Sequence, residues 1–110
     1  MAYDEELADR IRAMLGDRAS LTEQKMFGGL AFLIGGNMAI AASGQGGILV
    51  RVDPDESDEL VATTPTELME MRGRSMKGWL RVDAPEVAED GTLREWVERG
   101  GGSAASLPSK

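Results

Sequence analysis

The stretch GGLAFLIGGNMAIAASGQGGILVRV, residues 28–52, restricts the fold more than any other part of this chain. Its apolar runs are too short and too rich in glycine for a helix, and β-branched and aromatic residues favour strands. Gly35, Gly36 and Asn37 accept the positive φ that a tight hairpin demands, and Ser43 to Gly47 supply a second turn. The spacing predicts a three-strand antiparallel meander: an apolar run from Lys25 to Ile34, a return over 38–42, and a third strand from Ile48 to Val52 with Arg51 facing outward. A phosphate loop would need G-x-x-x-x-G-K followed by Ser or Thr, and a dinucleotide fingerprint G-x-G-x-x-G ahead of a helix. Neither occurs, so the clusters at 35–36 and 44–47 read as hairpin turns. Gly28 and Gly29 differ because they interrupt a strand, which points to a bulge or a close backbone approach.

The meander is flanked by helices. Leu7, Ala8, Ile11, Met14 and Leu15 recur at helical spacing over 4–15, with Asp4 as the cap, acids in the first turn and Gly16 as the stop. Asp53-Pro54-Asp55-Glu56 is a helix-start signal, predicting a short helix to about Ala62. Leu68–Met71 and Met76–Val82 read as two strands around Arg72-Gly73-Arg74. Thr92-Leu93-Arg94-Glu95 has the pattern of a capping box for a last helix whose apolar side is Leu93, Trp96 and Val97. The run GGGS at 100–103 is expected to end or fray that helix, because an interior glycine costs about 1 kcal/mol relative to alanine. The resulting expectation is an α+β domain: helix, three strands, helix, two strands, helix, with the helices packed on one sheet. It spans residues 1–99, followed by a Gly/Ser-rich tail at 100–110.

Composition narrows the function. Twelve Lys and Arg against nineteen Asp and Glu give a net charge of -7, which repels nucleic acid and anionic membranes, so neither is an expected partner. Without Cys or His there is no disulfide, thiolate nucleophile, imidazole base or soft metal site. No cofactor is expected. The amino terminus MAYDEEL lacks the basic start and apolar core of a signal peptide, and no apolar run reaches the length of a bilayer span. A cytoplasmic location is the expectation.

Against this acidic background RGRSMKGWLR, residues 72–81, carries Arg72, Arg74, Lys77 and Arg81 without one acid. It reads as an exposed hairpin with solvated charges, or as a contact for an acidic partner or a phosphate. Met26, Met38, Met69, Met71 and Met76 read mainly as core, with an adaptable binding face as the alternative. Trp79 and Trp96 are core or interface anchors, and Tyr3 serves packing or function equally well. Ser75 near Lys77 is a weak signal for a nucleophile, and Glu5 and Glu6 point to different helix faces. No catalytic residue is assigned. The enzymatic alternative is a small-molecule or phosphate-dependent enzyme using Lys77 with carboxylates.

The segments DEELADRIRAML, QKMFGGLAFLIGGNMAI, GILVRVD, MRGRSMKGWLRVD and LREWVERG, in this order, resemble the TfoX N-terminal domain family (TfoX/Sxy-like). The likeness runs from about Tyr3 to Arg99, the closing SLPSK resembles the family's ending, and KMFGG and MKGW are the most diagnostic pieces. The resemblance implies an α+β domain with the element order above, similar to secretion-chaperone-like folds. It also implies kinship with cytoplasmic regulators of competence gene expression that act with the cyclic-AMP receptor protein. The chain stops where full-length members begin a C-terminal domain, so a stand-alone N-terminal domain is expected. The family has no catalytic residues to transfer. Lys25, Met26, Phe27, Gly28, Gly29, Met76, Lys77, Gly78 and Trp79 carry over as motif positions, structural or partner-binding, joined by the basic Arg72 and Arg74. Function through contact with an unidentified protein partner is expected, and a homodimer is compatible with it.

Overall fold

The computed structural model describes residues 4–16, 21–26, 28–44, 46–71 and 73–108, with Met26 and Met71 described by their backbone only. These residues form an α+β domain in which three α-helices pack on a six-stranded antiparallel sheet. Helix α1 spans Glu5–Leu15, capped as expected by the Asp4 carboxylate, which accepts from the Leu7 amide at 3.2 Å. Leu7, Ala8, Ile11 and Leu15 form its buried face. Strands β1 (Leu21–Met26), β2 (Gly29–Ile34), β3 (Asn37–Ala42) and β4 (Ile48–Arg51) follow as consecutive antiparallel neighbours. Gly35 and Gly36 turn the β2–β3 hairpin with φ of 61° and 83°, the pair of left-handed residues that a two-residue hairpin requires.

A 3-10 turn at Pro54–Glu56 leads into α2 (Ser57–Thr63), with the Asp53 side chain accepting from the Asp55 amide as the start signal implied. Strands β5 (Thr66–Met71) and β6 (Arg74–Val82) then return, β6 pairing with β4 and leaving β5 at the edge. Helix α3 covers Asp90–Ala105.

Strand alternation gives the sheet two apolar faces. Phe32, Ile40, Val50 and Leu80 meet Ile11, Leu93 and Val97 of the helices in the main core. On the opposite face Ala31, Leu33, Met38, Ala41 and Leu49 form a smaller cluster, with Met69 and Trp79 packed beside it. Side-chain bonds tie the layers: Arg10 reaches the Val87 and Ala88 carbonyls and Asp90, and Arg12 pairs with Glu23 on β1 at 2.6 Å. The hydrogen bond from Arg12 holds the Glu23 carboxyl below its ordinary range.

Four expectations are corrected. The meander has a further strand: Leu21–Met26 is an edge strand, and its run from Thr22 to Lys25 is exposed, so it shows no apolar alternation. Gly28 therefore does not interrupt a strand; it sits in the β1–β2 turn with φ +75°, and Gly29 opens β2. Helix α3 begins two residues before Thr92, and no side chain caps it, so 92–95 is not a capping box. Nor does GGGS end it. Gly100 and Gly101 are buried, and a Cβ on Gly100 would overlap the Ala39 carbonyl oxygen of β3. Gly100 lets helix and sheet approach closely, and the packing offsets its low helix propensity.

Candidate functional site

The MKGW motif lies where β6 leaves β5. Leu68 pairs with Leu80 but Met69 pairs with Met76, so Lys77, Gly78 and Trp79 bulge out of the β5 ladder. The bulge is held from the other side. The Gly78 amide donates to the Ser57 hydroxyl at 2.6 Å, and the Gly78 carbonyl accepts from the Val52 amide at 2.8 Å. Ser57 is fully buried, so its hydroxyl satisfies an amide that water does not reach. Gly78 has φ +90°, and a Cβ there would come to 3.2 Å from Pro54 Cγ. The positive φ calls for glycine, and the proline opposite leaves a Cβ only a tight fit.

The bulge places its neighbours. Trp79, half-buried, stands opposite Arg51 on β4. The Arg51 guanidinium stacks over the indole with 4.3 Å to the ring centroid, and its Nε donates to the Met38 carbonyl at 2.8 Å. Arg51 thus does not point into solvent as the alternation implied; it lies half-buried on the helix-free face. Among the described residues no carboxylate forms a salt bridge with it, and burial lowers its pKa from the ordinary value. Lys77 is exposed and reaches Asp58 at 3.6 Å. Met76 is half-buried, and Arg74 is exposed near the hairpin tip. Arg81 is half-buried and has an interaction partner.

Beside the bulge lies an open cavity of about 590 Å³, bounded by the end of β4, the 3-10 turn and the second half of α3. Its volume is in the range of small-molecule sites. Arg51, Lys77, Gly78 and Trp79 line it on one side, and Arg99 and Ser103 on the other. Arg99 is bound to Glu56 at 3.0 Å across the rim.

The KMFGG positions are elsewhere. Lys25 is exposed on the edge strand, and a Cβ on Gly29 would overlap the Ala42 carbonyl oxygen, which accounts for glycine there as a close approach of β3. The strand register puts the β1–β2 turn at one end of the sheet and the β5–β6 tip at the other, on opposite edges. The structure does not bring the two motifs together. Tyr3, Phe27 and Arg72 lie outside the described residues, as do the side chains of Met26 and Met71.

Arg51 is the site residue that sequence reasoning missed as such; the available signal was a lone arginine two residues before the Asp-Pro helix start, in a strand otherwise fully apolar. Among the described residues no group of three or more Asp or Glu is placed to hold a metal ion, and no helix is long and apolar enough to cross a membrane.

A family model described as the TfoX N-terminal domain matches residues 13–104. No curated protein and no solved structure matches the chain.

Proposed function

The chain belongs to the TfoX N-terminal domain family, and from that premise we propose that it is a non-enzymatic regulatory domain of the cytoplasm that acts on gene expression through contact with a protein partner. The family is not a known enzyme family. The observation that carries the contact surface is the exposed pair Arg74 and Lys77 at one end of an otherwise acidic domain, on a hairpin that Gly78 and Ser57 hold in place. Such a patch fits an acidic protein surface: charge complementarity speeds encounter and fixes orientation. The glycines of both motifs shape the backbone, and on the β5–β6 hairpin the side chains beside Gly78 meet the partner.

Transcript profiling tests the regulatory role. A strain lacking the gene should show a set of altered transcripts that the wild-type copy restores and that Arg74→Glu with Lys77→Glu does not. A profile unaffected by the deletion contradicts regulation; full restoration by the double variant contradicts the hairpin surface.

A further inference from the structure

We propose that the cavity between the β6 bulge and the second half of α3 binds a small organic carboxylate, whose carboxylate group takes the guanidinium N–H donors of Arg51 that neither Trp79 nor Met38 uses. The inference stands independently of the protein-contact reading, which rests on Arg74 and Lys77.

Arg51 is built as an anion receptor. Stacking on Trp79 occupies the flat face of the guanidinium, and the bond from Nε to the Met38 carbonyl fixes its rotation. The Nη donors in the guanidinium plane remain, in the fork geometry that matches a carboxylate. The group is half-buried without a salt-bridged carboxylate among the described residues, so an incoming anion supplies the counter-charge that the fold withholds. The acids on the cavity wall are already engaged: Glu56 with Arg99, Asp53 with the Asp55 amide, and Glu98 with a partner of its own.

The charge around the cavity chooses the ligand class. Its wall carries Asp53, Glu56 and Glu98 against Arg51, Lys77 and Arg99, with Arg99 on Glu56 and Lys77 near Asp58. It thus has no surplus of cations for a multiply charged anion, which the carbonyl end of α3 and the net charge of -7 also repel. A single carboxylate pairs with Arg51 at the least repulsion. Trp79, Pro54 and Leu107 then offer apolar surface to the rest of the molecule. The site therefore favours an organic monocarboxylate over phosphate.

The test uses the whole chain with acetate, benzoate and inorganic phosphate as probes at constant ionic strength. A Trp96→Phe background isolates the emission of Trp79, and the melting temperature is read in parallel on the unaltered protein. Benzoate should change Trp79 emission saturably and raise the melting temperature, with acetate weaker and phosphate weakest. Arg51→Met should weaken benzoate at least tenfold, and Arg51→Lys, which keeps the charge and the stem but not the fork, should fall between. No saturable response to any probe, tighter binding of phosphate than of benzoate, or equal benzoate affinity in the wild type and Arg51→Lys would each overturn the proposal.

Discussion

Gly78 and Ser57 show how a surface motif is anchored by residues that never reach the surface. The Gly78 amide is satisfied by a serine hydroxyl 21 positions earlier, a pairing invisible in sequence because nothing local marks it. The reason for glycine was equally hidden: a hairpin strand looks the same with or without a three-residue bulge, and only the register slip between Leu68 and Met69 reveals it. Ser57→Ala leaves a buried amide without a partner and should lower stability by about 1–3 kcal/mol. Gly78→Ala forces a side chain into the left-handed region beside Pro54 and should cost roughly 1–2 kcal/mol. Urea unfolding measures both; values near zero would mean that the bulge is not held in this way.

Helix α3 and strand β1 mark what sequence patterns catch at the level of elements. The caps of α1 and of the 3-10 turn were legible because Asp4 and Asp53 act within three residues of themselves. The β2–β3 hairpin was legible because two adjacent glycines have few other uses. The length of α3 was not. Leu93, Val97, Gly100 and Ala104 form one buried stripe, yet glycine at the third position reads as a breaker until Ala39 is placed opposite it. Strand β1 escaped because four of its six residues, Thr22 to Lys25, are exposed, and pairing to β2 alone makes it a strand. A contrasting pair checks the α3 account. Gly102 has open space where a Cβ would stand, so Gly102→Ala should stabilise by about 0.5–1 kcal/mol through helix propensity. Gly100→Ala should instead destabilise by about 1–3 kcal/mol, because overpacking against β3 outweighs that gain. Thermal melts of the two variants shifting in the same direction would contradict the close helix–sheet contact.

At the scale of the whole molecule, the sheet separates two motifs that look equally functional in sequence. KMFGG closes the β1–β2 edge, where Gly29 meets Ala42; MKGW sits across the sheet beside the cavity, with Arg51 and Trp79 stacked and Arg74 and Lys77 in solvent. Their separation was unreadable without the strand order, since β6 passes between β4 and β5 and so carries its hairpin to the far edge. The net charge of -7 makes any cationic patch a local exception, and its interactions should weaken with added salt. The most direct test is capture of protein partners from a native lysate by three forms of the chain: wild type, Arg74→Glu, and Lys25→Glu, which makes the same charge change on the opposite edge. The expected result is a specific partner retained by wild type and Lys25→Glu and lost at least tenfold by Arg74→Glu. Equal recovery by all three, or equal loss in both variants, would contradict a contact surface at the β5–β6 end.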